Sequence, residues 1–188
     1  MAREALAILD VPKKYTAILP GHGWRPPDEG VVKINTDGGL SLDARRGGAG
    51  GVARSHSEYL GAWSKPYEGI SDPLVAEALA LRDGVIFAKL RGYLKVVMET
   101  DCLEVVNLWN SRHGSRAAVA PILQEIGELV SSFSSFTIQH VMRSANNSAH
   151  LCAKLASTLM VTSSWLECTP DFLVVSLLAD RSGAVLAE

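Results

Sequence analysis

The chain has 188 residues, of which 47% are hydrophobic and 20% charged, and its formal net charge is −2. This length suits one well-buried domain with additional segments and is short for two domains, and the composition excludes a disordered or fibrous protein. The charge excludes a protein that grips nucleic acid through a strongly basic surface, so any such contact must rely on local basic groups and bound cations.

The first half of the chain predicts a leader followed by three strands. Residues 1–29 form the predicted leader or linker, because prolines and glycines interrupt its second half. From Gly30 the run VVKINTD alternates as a strand does, and a Gly-rich connection leads to two more strand-like runs, GVARSHS and YLGAWSKPY. Three consecutive strands with short connections predict an antiparallel meander.

A long helix and a buried strand come next. Asp72 is the predicted cap of this helix, Pro73 fits its first position, and Gly92 follows its end. The run from Leu94 to Thr100 predicts a fourth strand. Residues 101–104 have the spacing of a capping box, which should open a second helix.

The remaining elements complete an α/β (α+β) pattern. Pro121 begins a third predicted helix, FTIQHVM reads as a fifth strand, and NNSAHLCAKLASTLM as the closing helix. The order βββ-α-β-α-α-β-α predicts a mixed five-stranded sheet with helices on both faces. We expect the domain to span residues 30–160. Residues 161–188 would be a C-terminal extension that packs on the domain or docks a protein partner through FLVVSLLAD.

The cysteine content and hydropathy indicate a soluble, intracellular protein, nuclear or cytoplasmic. The cysteines, Cys102, Cys152 and Cys168, form no C-x-x-C pair, and so sparse a set fits a reducing compartment. No apolar run approaches the roughly 20 residues that span a bilayer, and the N-terminus lacks a signal-peptide core. We therefore expect neither a membrane partner nor a small-molecule cofactor.

Three acidic residues stand at positions where a fold could bring them together. Asp37 ends the first predicted strand, Asp101 ends the fourth, and Glu77 lies one turn into the first helix. If these two strands are neighbours, their carboxyl ends place the carboxylates at one edge. Converging carboxylates repel each other unless cations neutralise them, and oxygen ligands favour Mg²⁺ or Mn²⁺. Two such ions can activate a water and stabilise the leaving oxygen of a phosphodiester.

Each of these residues also has a simpler interpretation. Asp37 followed by two glycines could be a hairpin turn. Asp101 could be a helix cap, and Glu77 a solvated helix residue, although its neighbours are apolar. Their joint order favours the metal site.

Five segments resemble the plant ribonuclease H-like domains of the type 1 fold, which are related to non-LTR retroelements: WRPPDEGVVKINTDGG, GGAGGVAR, AEALALRDGV, KVVMETDCLEVV and IQHVMRSANNSAHLCAKLA. The resemblance runs from about Trp24 to Leu159 and continues more faintly to Asp180. It implies a metal-dependent endonuclease that cleaves the RNA strand of RNA–DNA hybrids.

The resemblance also implies roles for single residues. Asp37, Glu77 and Asp101 match the first three metal-binding carboxylates of these domains. Gly38 matches a residue whose backbone approaches the hybrid, and Asn146 matches an asparagine that contacts the nucleic acid.

Two further positions depart from the family pattern. Arg143 falls in the loop where many members carry a product-releasing histidine, and His140 is a second candidate for that role or else a core or strand-face residue. The family motif Asn-x-x-Ala-Asp ends here in His150, so a histidine replaces the fourth carboxylate. A neutral imidazole can still bind a metal, and nitrogen ligation suits Mn²⁺ better than Mg²⁺.

The three retained carboxylates favour an active endonuclease that cuts RNA–DNA hybrids. The alternative is a catalytically weakened domain that acts as a nucleic-acid-binding or protein-interaction module. His150 and the near-neutral charge favour that alternative.

Overall fold

A computed structural model describes residues 23–41, 46–111 and 118–185. Within these ranges a single sheet has the spatial order β5-β4-β1-β2-β3-β6. Its strands are β1 (Val32–Ser41), β2 (Arg46–Arg54), β3 (Tyr59–Glu68), β4 (Lys95–Thr100), β5 (Ser135–His140) and β6 (Ser163–Trp165). The helices are α1 (Pro73–Leu90), α2 (Leu103–Ser111), α3 (Ala120–Leu129), α4 (Asn147–Leu159) and α5 (Asp171–Val185).

The pairing of the strands confirms the predicted meander and the predicted neighbours. Strand β2 runs antiparallel to both β1 and β3. Strand β1 is parallel to β4, with Thr36 opposite Thr100, and β4 is parallel to β5. The parallel pairing ends at Thr36 and Thr100, although β1 itself continues to Ser41, so the residues that follow these two threonines lie side by side.

The predicted strand count of five is wrong by one. Residues Ser163–Trp165 add a sixth strand, which pairs antiparallel with β3 through Ala62 opposite Trp165. A strand of three residues is too short for alternation to be visible in the sequence, and it lies in the segment that was expected to be an extension. The predicted fourth strand also begins one residue later than expected, at Lys95, and Leu94 is 63% exposed.

The Gly-rich connection is a second correction, because most of it is strand. Residues 38–41 belong to β1 and residues 46–51 to β2, whereas residues 42–45 lie outside the described ranges. The glycines let other elements approach the sheet closely. A Cβ on Gly50 would lie 2.3 Å from the backbone nitrogen of Ala153 in α4, and one on Gly51 would lie 2.1 Å from the Trp63 ring.

The caps of α1 are as predicted. The Asp72 carboxylate accepts the backbone N–H of Leu74 at 2.9 Å, and Pro73 takes the first helical position. Gly92 follows the helix with a φ of +70°, a left-handed conformation that glycine adopts without a Cβ penalty. These local signals fix where the helix carrying Glu77 begins and ends.

Helices cover both faces of the sheet, as predicted. Helix α1 packs on β1, β2 and β4, together with α3, around a core that includes Ile34, Leu81 and Ile126. Helix α4 packs on β1, β2 and β3 from the other side. A smaller core there contains Val52 and Cys152 and extends to Leu173 of α5.

Helix α5 is joined to the rest of the molecule by buried polar contacts. The Ser176 and Ser148 hydroxyls lie 2.9 Å apart, and Asp180 forms an ion pair with Arg54. The predicted domain limits at residues 30 and 160 stay predictions, and most of the predicted leader, residues 1–22, lies outside the described ranges. None of the helices described is both long and apolar enough to cross a membrane.

Candidate metal centre

Three carboxylates from three different elements meet at the edge where β1 and β4 lie side by side. Asp37 extends from β1, Asp101 follows β4, and Glu77 reaches the same place from α1. One carboxylate oxygen of each lies within 4.8 Å of those of the other two. This convergence of three oxygen ligands agrees with the grouping that the sequence predicted.

The simpler interpretations of Asp37 and Asp101 do not fit their surroundings. Asp37 is 1% exposed and lies within β1, opposite Gly50, rather than in a hairpin turn. Helix α2 begins two residues after Asp101, at Leu103, so the capping box predicted over residues 101–104 is wrong. The Asp101 carboxylate instead accepts hydrogen bonds from Arg143 and Asn146.

The Arg143 guanidinium lies among the predicted metal ligands. Its Nη1 is 2.8 Å from Asp101 Oδ2 and 3.4 Å from Asp37 Oδ1, and its Nη2 is 2.9 Å from Nδ1 of His150. It therefore contacts three of the four predicted ligands, although its own side chain is 60% exposed. Arg143, rather than the exposed His140 at the end of β5, reaches the carboxylates.

His150 points its Nδ1 at this same site. That nitrogen lies 3.0 Å from Asp37 Oδ2 as well as 2.9 Å from Arg143. A single ring nitrogen either donates to a carboxylate or accepts from a guanidinium, so only one of these two contacts is a hydrogen bond at a time. In the tautomer that accepts, a nitrogen lone pair faces the cationic group between the carboxylates, as a metal ligand would.

Gly38 is held close to α1. A Cβ on Gly38 would lie 2.3 Å from the carbonyl carbon of Ala76 and 2.4 Å from the backbone nitrogen of Glu77. The absence of a side chain therefore lets the helix bring Glu77 to the edge of the sheet. The predicted approach of the Gly38 backbone to a nucleic acid stays a prediction.

Asn146 is fully buried at the start of α4, and its amide is engaged within the protein. Its Nδ2 donates to the Thr36 carbonyl and to Asp101 Oδ1, at 2.9 Å each, and its Oδ1 accepts from Asn35 at 3.2 Å. Its predicted contact with nucleic acid stays a prediction. These bonds give it a definite role in holding Asp101 and the start of α4 against β1.

Burial and mutual repulsion set the protonation of the cluster. Burial, and then the charges of Asp37 and Asp101, raise the pKa of Glu77 to about 9. Partial burial acts to raise the pKa of Asp101 too, but the hydrogen bond and charge of Arg143 and the Asn146 N–H hold that pKa below its ordinary value. One carboxyl of the three is thus neutral at pH 7 unless additional positive charge is bound.

The donor set fits a hard divalent cation. Carboxylate oxygens from Asp37, Glu77 and Asp101 converge, and the imidazole nitrogen of His150 contacts Asp37. Such oxygen-rich sets suit Mg²⁺ or Mn²⁺. The raised pKa of Glu77 fits as well, because it reflects negative charge that a bound cation would neutralise.

Sequence reasoning missed the buried polar residues behind the carboxylates. Asn35, Arg54 and Glu99 are between 0% and 5% exposed, and they are linked to one another through Asn35. A signal was available, since Asn35 and Glu99 are polar residues inside otherwise apolar strands that end at the site. Buried polar side chains of this kind need partners.

Known structures share this architecture. They include ribonuclease H1 from the halophilic archaeon Halobacterium salinarum, with a TM-score of 0.64 at 19% identity over 70% of this chain and 99% of that chain. The N-terminal ribonuclease H domain of a Mycobacterium tuberculosis protein has a TM-score of 0.63 at 24% identity, over 69% of this chain and 94% of that chain. LC11-RNase H1, solved in complex with an RNA/DNA hybrid, has a TM-score of 0.63 at 18% identity, over 69% of this chain and 98% of that chain.

These likenesses establish a ribonuclease H fold, in which parallel strands β1 and β4 present clustered carboxylates. The reverse transcriptase-like family model matches residues 35–156, and the chain belongs to that family. This stretch contains Asp37, Glu77, Asp101 and His150. No curated protein matches the chain significantly.

Proposed function

We propose that this chain is a divalent-metal-dependent endonuclease that hydrolyses the RNA strand of RNA–DNA hybrids. The observation that carries the proposal is the convergence of Asp37, Glu77 and Asp101 within 4.8 Å, on a fold shared with ribonucleases H. One of those structures holds an RNA/DNA hybrid, which is the substrate class we assign here. An origin among plant domains related to non-LTR retroelements stays a prediction.

In this proposal each residue of the site has a separate task. Asp37, Glu77 and Asp101 bind the metal ions, and His150 takes the fourth position. Bound in a pair, Mg²⁺ or Mn²⁺ would supply water activation and stabilisation of the leaving oxygen in an in-line displacement. The Arg143 guanidinium, largely exposed beside the carboxylates, is available to bind a backbone phosphate.

A specific observation favours the alternative, a weakened domain that binds nucleic acid without useful catalysis. Arg143 already supplies a positive charge to Asp37 and Asp101, and His150 lacks the charge of the carboxylate that it replaces. A site that carries its own cation and one carboxylate fewer has less need of metal. Such a domain would bind the hybrid and leave it intact.

One assay separates the two functions. The pure protein is incubated with an end-labelled RNA–DNA hybrid in Mg²⁺, in Mn²⁺ and in a chelator, and both strands are followed. The endonuclease cuts the RNA strand with metal only, whereas the weakened domain shifts the hybrid in a binding assay and cuts neither strand. Asp37→Asn is the matched control, since it removes one ligand charge and hardly alters side-chain volume.

A further inference from the structure

A continuous line of hydrogen bonds joins helix α5 to the carboxylate cluster. Arg54 donates from Nη1 to Asp180 on α5 at 2.5 Å and from Nη2 to Asn35 Oδ1 at 2.6 Å. Asn35 Nδ2 donates to Asn146 Oδ1 at 3.2 Å, and Asn146 Nδ2 donates to Asp101 Oδ1 at 2.9 Å. We call these five residues, Asp180, Arg54, Asn35, Asn146 and Asp101, the polar chain.

The polar chain has a fixed direction, to which the ion pair at its far end contributes together with the acceptors beside its two amides. A guanidinium only donates, so Arg54 must face the oxygen of the Asn35 amide. The NH₂ group of Asn35 is thereby directed at the oxygen of Asn146. The NH₂ group of Asn146 is then left to face Asp101. Asp180 holds Arg54 in place at the start of four successive hydrogen bonds that end at Asp101. The Glu99 carboxylate and the Thr36 carbonyl, which only accept, favour the same orientations of the Asn35 and Asn146 amides.

The charged groups beside the polar chain pair with one another and not with the carboxylates of the cluster. Glu99 accepts from Asn35 Nδ2 at 3.0 Å and pairs with Lys33 at 2.8 Å. Arg54 and Asp180 form a second ion pair and neutralise each other, and their side chains are 5% and 3% exposed. A buried ion pair of this kind is weak evidence for stability, because apolar residues of similar size often replace one without loss. Its value here lies in orientation.

The contacts at Asp101 show what the orientation achieves. Oδ1 is held by the Asn146 N–H, while Oδ2 faces the cationic group, at present the Arg143 guanidinium. The amide thus assigns one oxygen to the protein and leaves the other for a cation. Asn146 also binds the Thr36 carbonyl, directly before Asp37, so the same amide fixes two ligand-bearing segments relative to each other.

We propose that Asp180 is a positioning residue for the carboxylate cluster. Through Asp180, helix α5 helps to orient the ligands of the metal centre. Asp180 lies outside residues 35–156, the part matched by the family model. The effect of Asp180 on metal binding does not depend on the proposed function, whereas its consequence for catalysis rests on that function.

The test removes the ion pair without leaving a buried charge. In the double variant Arg54→Met with Asp180→Leu, apolar side chains fill the same space, and a melting curve checks that the fold is kept. The probe is Mn²⁺ alone, titrated and followed by its electron paramagnetic resonance signal. We expect the Kd to rise about tenfold, as is typical when a partner behind a metal ligand is lost. Asp180→Asn keeps an acceptor for Arg54 and should retain most of the affinity.

Arg181→Met is the matched control, because Arg181 also ties α5 to the body, through the Ser57 carbonyl at 2.8 Å, and stands outside the polar chain. It should leave the Kd for Mn²⁺ unchanged. Equal weakening by Arg181→Met, or wild-type affinity in the folded double variant, would overturn the proposal. Either result would mean that Asp180 only tethers the helix.

A second readout keeps this proposal separable from the proposed function. The side-chain amide signals of Asn35 and Asn146 in a ¹H–¹⁵N spectrum should shift in the double variant and stay in place in Arg181→Met. If the wild type binds Mn²⁺ but cuts no hybrid, the proposed function fails and the proposal is judged on affinity. If the wild type binds no Mn²⁺, the two amide signals decide, and unchanged signals overturn the proposal.

Discussion

The guanidinium of Arg143 bridges Asp101, which follows β4, and Asp37, which lies within β1 beside the end of β4, at 2.8 and 3.4 Å. A side-chain cation therefore competes for the ligands that a metal ion would use. A mostly exposed ion pair contributes up to about 1 kcal/mol, so Arg143→Ala should tighten Mn²⁺ binding by roughly fivefold in the absence of nucleic acid. The same variant should cut the hybrid more slowly, because it loses a phosphate-binding group.

Calorimetric titration of Mn²⁺ checks this prediction, with Arg91→Gln, an exposed substitution after α1, as the control. Weaker Mn²⁺ binding by Arg143→Ala would show the opposite role, in which the guanidinium organises the carboxylates for the metal.

His150 should set the metal preference. With a neutral imidazole in the fourth position, three carboxylates face two divalent ions, so the second ion is held less tightly until substrate phosphate adds negative charge. We expect weak cleavage with Mg²⁺ and a clear preference for Mn²⁺, and His150→Asp should restore turnover with Mg²⁺. Cleavage rates over a range of each metal measure this. Identical Mg²⁺ dependence in both proteins would make His150 a bystander.

Glu77 should make the metal-free protein less stable as the pH rises. Its pKa is about 9 in the folded protein and near 4.5 in an ordinary environment, so between these values the folded state holds a proton that the unfolded state has lost. Stability therefore falls with rising pH across this window. Melting temperatures without divalent metal should decrease from about pH 5 to about pH 8, and added Mg²⁺ should offset the decrease.

Glu77→Gln is the control for this effect, since it resembles the protonated side chain at every pH. Its melting temperature should vary less with pH across the same window than that of the wild type. An equal slope in both proteins would place the origin of the pH dependence at other groups.

Glycine at position 50 should be required for the seating of α4. An added Cβ would lie 2.3 Å from the backbone nitrogen of Ala153, so the helix carrying His150 would have to move. We expect Gly50→Ala to destabilise the protein by about 1–3 kcal/mol. Gly127→Ala in α3 is the matched control, because nothing lies within 4 Å of its added Cβ. Alanine there should be neutral or stabilise by up to about 1 kcal/mol, as a better helix former. Equal effects in denaturant unfolding would contradict this account.

The sequence predicts the five main strands and the acidic cluster because their signals are local. Alternation marks the strand that contains Asp37, a cap and a glycine mark the helix of Glu77, and Asp101 follows a buried strand. Strand β6 escaped prediction, since three residues carry no period and its pairing with β3 is set by tertiary contacts.

The polar chain could not be read from the sequence for a related reason. Its bonds join residues far apart in the sequence, 126 positions for Arg54 with Asp180 and 111 for Asn35 with Asn146. A polar residue inside an apolar strand indicates that it has a hydrogen-bond partner, but which residue is the partner depends on how α4 and α5 pack. Arg143 was a candidate only through the family resemblance, and its contacts with the carboxylates could not be predicted, because a single 3-10 turn, Arg143–Ala145, has no periodicity to follow.

Selective hydrolysis of RNA by this protein can be measured on one duplex with a short ribonucleotide run inside one DNA strand. With Mn²⁺ the protein should cut that strand only within the ribonucleotides, because the 2′-hydroxyl distinguishes RNA from DNA at the site. The cut should leave a 3′-hydroxyl, because the 3′ oxygen would leave phosphorus as a metal-activated water attacks and ends in the 5′ phosphate. Chelator, or Asp37→Asn in a protein that still melts cooperatively, should abolish the cut. Cleavage outside the ribonucleotides, or undiminished cleavage by Asp37→Asn, would contradict the account.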